Sequence, residues 1–75
     1  MEREITFEII KHIGVIGEDT HGFRKEINIV RWNKGVPKYD IRSWNNDHTQ
    51  MTRGLTLSAQ EADKVASLLA GEFNL

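Results

Sequence analysis

Both tryptophans of the chain, Trp32 and Trp44, fall in a stretch that also carries Arg24, Lys25, Arg31, Lys34, Lys38, Arg42 and Arg53 against only Glu26, Asp40 and Asp47. Flat rings interleaved with guanidinium and ammonium groups suit single-stranded nucleic acid, whose unpaired bases stack on aromatic faces while its backbone follows positive charge. One such stack contributes about 1 to 3 kcal/mol and accepts any base, because every base has a π-face. Reading a duplex asks instead for a helix in the major groove. The net charge of −1 counts against a polyanion partner when taken in bulk. The charges are unevenly spread, however: the stretch from Arg24 to Arg53 is positive and the remainder acidic, so the elements that carry them decide the matter.

Other chemistries find little support. His12, His21 and His48 lie in separate segments without metal-ligand spacing, and Asp40, Asp47 and the glutamates form no acid–base pair. Ser43, Ser58 and Ser67 have no partner base in view, and no nucleophile elbow, phosphate-binding glycine loop or dinucleotide fingerprint occurs. The reading excludes an enzyme and expects no metal, cofactor or small-molecule substrate. Zero cysteines remove disulfides, zinc ribbons and thiol catalysis, which fits a reducing compartment with the cytoplasm as default. Glu2, Arg3 and Glu4 do not open a signal peptide, and no run approaches the roughly 18 apolar residues of a membrane helix.

Seventy-five residues make one domain, 1–75, and a chain this short buries only about 60 per cent of its unfolded surface. Without disulfide or metal, self-association is the expected reinforcement, so a homodimer is predicted. Ile5 to Ile16 alternates at first, with Ile5, Phe7 and Ile9 on one side and Glu4, Thr6 and Glu8 on the other; the pattern blurs after Ile10, where Gly14 and Gly17 suggest a bulge or bend. Gly17 to Gly22 reads as a hairpin loop. Phe23 to Trp32 is the second strand, with Ile27 and Ile29 marking its core side. The turn from Asn33 to Val36 leads to a third strand from Pro37 to Trp44, in which Tyr39 and Ile41 face inward while Lys38, Asp40, Arg42 and Trp44 share the other side. A polar loop, 45–50, precedes a fourth strand from Met51 to Leu57, interrupted by Gly54. Ser58 and Glu61 have capping-box spacing, so a helix starts at Ala59 with Ala62, Val65, Ala66, Leu69 and Phe73 as the stripe that covers the sheet. The fold class is α+β: a four-stranded antiparallel sheet followed by one C-terminal helix, ββββα.

A sheet covered on one face by a helix leaves the other face in water. Lys38, Arg42 and Trp44 on strand three, with Arg24, Asn28 and Trp32 on strand two, fall there together. A tryptophan in a small domain is more often core than platform, but two of matching parity beside cations shift the balance. Lys11, Arg31 and Lys34 read as solvated residues and Phe23 as core. Arg53 has core parity and reaches the binding face only through a bulge near Gly54, and Lys25 sits near a strand end where parity is weak.

The combined pattern Asp40-Ile41-Arg42-Ser43-Trp44 and Arg53-Gly54-Leu55-Thr56-Leu57 ahead of a helix resembles the positive cofactor four family of transcriptional coactivators, and in particular its short bacterial YdbC-like branch. There the likeness extends over nearly the whole chain, including Phe23-Arg24-Lys25-Glu26, Arg31-Trp32-Asn33 and Asn46-Asp47-His48. The resemblance implies a homodimer whose sheets form concave channels for single-stranded DNA, with the helices building the dimer interface. Arg42 matches the family's arginine after Asp-Ile, Trp44 lies at or beside its stacking aromatic, and Arg53 matches a basic residue before the glycine. Asn33 and Val36 depart from the eukaryotic pattern of an aromatic and a lysine, and Trp32 and Lys38 are the expected substitutes. The expected site is therefore Arg24, Lys25, Asn28, Trp32, Lys38, Arg42, Trp44 and Arg53, binding single-stranded DNA without sequence preference in transcription regulation, replication or repair. RNA stays open as a partner, since nothing marks a 2′-hydroxyl contact. The alternative is a protein-interaction module that uses the same Trp and Arg face as a hot spot.

Overall fold

The computed structural model describes residues 5–18 and 21–74. Four strands, β1 (Phe7–Glu18), β2 (Arg24–Trp32), β3 (Lys38–Trp44) and β4 (Leu55–Leu57), form one antiparallel sheet in the order β1-β2-β3-β4, and helix α1 (Ala59–Phe73) follows. The α+β architecture expected from the sequence is thus present. The expected Glu4 and part of the Gly17–Gly22 loop lie outside the described residues. No helix among the described residues is long and apolar enough to cross a membrane.

The register explains where the alternation held and where it failed. β2 and β3 pair without interruption from Arg24↔Trp44 to Val30↔Lys38. β1 slips against β2 between Ile9 and Lys11, His12 and Gly14, and Val15 and Gly17, so Ile10, Ile13 and Ile16 are each the extra residue of a bulge. Repeated slips of one residue destroy period-2 patterning and carry β1 on to Glu18 as a strongly bent edge strand. The β2–β3 turn places Asn33 and Lys34 at φ 50° and 64°, both left-handed, and is closed by the Gly35 amide donating to the Trp32 carbonyl at 2.8 Å. Asn33 also ties down the chain before β1: its Oδ1 accepts from the Thr6 amide at 2.9 Å, and its own amide donates to the Thr6 carbonyl at 2.7 Å.

The fourth strand is shorter than expected. Only Leu55–Leu57 pairs with β3, and Met51 meets Trp44 in an isolated bridge. Between them the chain bows over β3 so closely at Gly54 that a Cβ built there would lie 2.5 Å from the Ile41 carbonyl oxygen. The glycine is needed for close approach rather than for an unusual φ.

The helix starts as its capping box requires. The Ser58 hydroxyl accepts from the Glu61 amide at 3.1 Å, and the Glu61 carboxylate accepts from the Ser58 amide at 2.9 Å. It does not cover the sheet in the expected way, however. It touches only β3 and β4, none of its residues is buried, and Leu68 and Phe73 are 64 % and 78 % exposed. An apolar groove of about 290 Å³ opens between sheet and helix, lined by Ile13, Ile27, Tyr39, Ile41, Val65 and Leu69 among others. The fully enclosed residues are instead Trp44, Glu26, Val30, Asn28 and Asp40, all on the opposite face of β2 and β3. The core was expected beneath the helix; it lies on the other side because β1, the 45–51 segment and long side chains of the sheet fold over that face.

Candidate nucleic-acid interface

Uninterrupted pairing of β2 with β3 sets Arg24, Glu26, Asn28, Val30 and Trp32 on the same face as Lys38, Asp40, Arg42 and Trp44. This face is the one away from the helix, so both indoles and four of the expected cationic or polar residues share it. β1 adds Phe7 opposite Trp32 and His12 opposite Asn28.

On this face the Arg42 guanidinium carbon stands 4.5 Å from the centroid of the Trp32 ring, a cation–π distance. Asp40, fully enclosed, holds that guanidinium by a two-pronged pair: Nε donates to Oδ1 at 2.6 Å and Nη2 to Oδ2 at 2.7 Å. The Thr56 hydroxyl donates to the same Oδ2 at 3.0 Å. Phe7 lies 5.9 Å from Trp32, and an open groove of about 320 Å³ runs past Trp32, Arg42, Asn33, Met51 and Thr56. Trp32 is only half-buried. Its indole Nε1 is enclosed and has no hydrogen-bond partner among the described residues.

Opposite Arg42 in the β2–β3 register sits a buried carboxylate. Glu26 is fully enclosed, and His48 Nε2 lies 2.9 and 3.1 Å from its two oxygens, while the Asn28 amide donates to Oε1 at 3.1 Å. His12 Nδ1 lies 2.8 Å from Asn28 Oδ1 and 3.5 Å from Glu26 Oε1. Burial pushes the Glu26 carboxyl up, but the hydrogen bonds from His48 and Asn28 and the charge of His48 and His12 outweigh it and hold the group below its ordinary value of 4.5. His48 reaches this site from a loop in which it adopts φ 58°. That loop is knit by Asn45 Oδ1, which accepts from the amides of Thr49 and Gln50, and by Asp47, whose carboxyl is held low by bonds from the Thr49 hydroxyl and amide.

Three of the expected contacts, Trp44, Asn28 and Lys25, require correction. Trp44 is wholly enclosed, with its ring centroid 5.0 Å from Phe7 and 5.4 Å from His48, so the loop that carries His48 closes over it and no base reaches its ring. Asn28 is likewise enclosed and spends its amide on Glu26 and His12 rather than on a ligand. Lys25 pairs with Ser43 at the parity of Ile27 and so projects on the helix side, away from Trp32. Arg53 is exposed in the bowed segment and belongs to no strand, so its expected core parity does not apply. Lys38 is exposed and Arg24 half-buried on the indole face, the latter bordering a groove of about 410 Å³ with His12, Glu26 and His48. Sequence reasoning gave Phe7, Glu26, His12 and His48 no role on this face. A signal for the glutamate existed, since Glu26 and Asn28 share the parity of Val30 and Trp32 and polar groups at a buried parity need partners.

No family model matches the chain. An uncharacterized protein of Treponema pallidum (strain Nichols) is 32 % identical to it over 63 residues, which are 84 % of this chain and 74 % of that protein. At that identity and coverage, the chain belongs to the same family as the Treponema pallidum protein.

Proposed function

We propose that the protein binds single-stranded nucleic acid, DNA first and RNA as a second substrate, without sequence preference and without catalysis. We place it in the YdbC-like branch of the positive cofactor four family, acting in the cytoplasm in transcription regulation, replication or repair. The observation that carries this reading is the half-buried Trp32 with the Arg42 guanidinium 4.5 Å from its ring, beside an open groove and on the same face as Lys38 and Arg24. A flat ring supplies stacking and the surrounding cations supply the polyanion's track. The homodimer is part of the proposal. Its support is the apolar groove between sheet and helix together with exposed Val65, Leu68, Leu69 and Phe73, a contiguous surface that a second copy would remove from water.

The test is a titration with oligo-dT followed by tryptophan emission at several salt concentrations. Quenching is expected, with log affinity falling against log salt by about 0.7 for each phosphate contacted. Unchanged emission, or an affinity indifferent to salt, would overturn the assignment. The pairing of Arg42 with Asp40 favours one competing reading, a polypeptide partner docked on the same face, because it removes free positive charge. The same titration separates the two, since a polypeptide site leaves oligo-dT unbound.

A further inference from the structure

Arg42 is the cation in contact with Trp32, yet its fork is already occupied. Nε and Nη2 both donate to Asp40, and Nη1 points along the 51–52 segment, with the Thr52 carbonyl at 3.5 Å and the Met51 sulfur at 3.6 Å. The side chain is 13 % exposed and that of Asp40 is not exposed at all. The backbone at Gly54 presses on the same arginine, leaving 2.8 Å between its Nε and a Cβ built on the glycine. Three strands and the bowed segment thus converge to fix one guanidinium plane against one indole. A guanidinium so paired is a poor phosphate clamp, because its charge is neutralised and its two-pronged edge is spent. It is a good splint: a ring held in one orientation gives up little rotamer freedom when a base stacks on it.

We propose that Asp40 is a positioning residue for nucleic-acid binding, locking Arg42 against Trp32 so that the pair acts as a rigid stacking platform rather than as a phosphate contact. This rests on the function proposed above. It runs against simple electrostatics, by which removing an anion from a polyanion-binding face should tighten binding. Removing Asp40 instead frees Arg42 to swing away and leaves Trp32 unsupported.

Asp40→Asn and Arg42→Lys test this in the full chain. Both variants are expected to bind oligo-dT about tenfold more weakly than wild type, a loss within the range of one base stack. Their salt slopes should stay within one phosphate equivalent, about 0.7, of the wild-type slope, because no phosphate contact is removed. In the free protein, the Arg42 Nε–H signal in NMR should exchange slowly in wild type and be lost in Asp40→Asn. Should Asp40→Asn fail to fold, Thr56→Val removes one hydrogen bond to the carboxylate and should still cost two- to threefold in affinity. The proposal is overturned if Asp40→Asn or Arg42→Lys binds as tightly as wild type, if the salt slope collapses with the affinity, or if the Arg42 Nε–H stays protected without Asp40. If wild type itself ignores oligo-dT at low salt, the functional reading falls and Asp40's role in binding falls with it, whereas the other outcomes sink the positioning role alone.

Discussion

Trp44→Ala removes the largest of the fully enclosed side chains, from a face whose other enclosed residues are Glu26, Asn28, Val30 and Asp40. Truncating a buried tryptophan to alanine costs about 3 to 5 kcal/mol, the transfer of the ring plus the cavity it leaves. The surroundings push the cost towards the upper end. Phe7 and His48 each lose a ring contact, at 5.0 and 5.4 Å, and aromatic pairs contribute about 0.5 to 1.5 kcal/mol beyond area alone. A domain of 75 residues has only about 4 to 11 kcal/mol in total, at roughly 0.05 to 0.15 kcal/mol per residue. The variant should therefore lose between about a quarter and all of its stability. Thermal unfolding followed by circular dichroism is the assay, at one fixed chain concentration because self-association would move the midpoint. At about 4 °C or more per kcal/mol for a domain this small, Tm should drop by at least roughly 12 °C. Trp32→Ala is the control, since its ring is half-buried beside an open groove and should cost far less stability while abolishing oligo-dT quenching. A Trp44→Ala protein that melts within about 5 °C of wild type would refute the assignment of this indole to the core.

Gly54→Ala should cost about 1 to 3 kcal/mol, because the new Cβ meets the Ile41 carbonyl at 2.5 Å and backbone must shift to admit it; a urea midpoint equal to wild type would contradict the close approach. Lys34→Gly should stabilise the hairpin by about 0.5 to 1 kcal/mol, since Lys34 holds φ 64°, where a side chain costs about 1 to 2 kcal/mol and glycine's own entropy takes back part of the gain. A lowered urea midpoint would count against it. Glu26, with a folded-state value below its ordinary 4.5, contributes stability that is present above that pH and is lost as the pH falls through the folded-state value. Melting temperature should accordingly decline below about pH 4.5, and Glu26→Gln should flatten that decline while lowering stability at neutral pH, because His48 and Asn28 lose a charged acceptor. An identical acid limb in wild type and variant would remove Glu26 from the account.

The faces of β2 and β3 were legible because their ladder has no slip, so parity read along Arg24 to Trp32 and Lys38 to Trp44 transfers directly into space. β1 lost its legibility after Ile9 for the opposite reason: each bulge at Ile10, Ile13 and Ile16 reverses the parity of the residues after it. The helix was legible from Ser58 and Glu61, whose reciprocal bonds are local. Its relation to the sheet was not, because a stripe of Val65, Leu69 and Phe73 says that a face wants cover without saying what supplies it. Trp32 and Trp44 share a parity and a residue class, and only the path of the 45–51 segment buries one and leaves the other half-open. Nothing near Trp44 in the chain announces that His48 folds back onto Glu26, since the contact depends on a left-handed residue and on a strand 22 positions away.

The charge arrangement limits how the proposed partner could be held. Asp40 neutralises Arg42, and the buried Glu26 adds a second negative charge to the face, so the cations outside any ion pair among the described residues that stay available near it are Arg24, Lys38 and Arg53. Three phosphate contacts on one chain correspond to a salt slope of about −2, and two chains sharing one strand to about −4. A slope in that range leaves stacking on Trp32 to supply most of the affinity, which is the regime of sequence-tolerant single-strand binding. A far steeper slope would mean that Arg42 leaves Asp40 for the backbone when nucleic acid arrives, and replacing Arg42 by lysine would then be nearly silent instead of damaging.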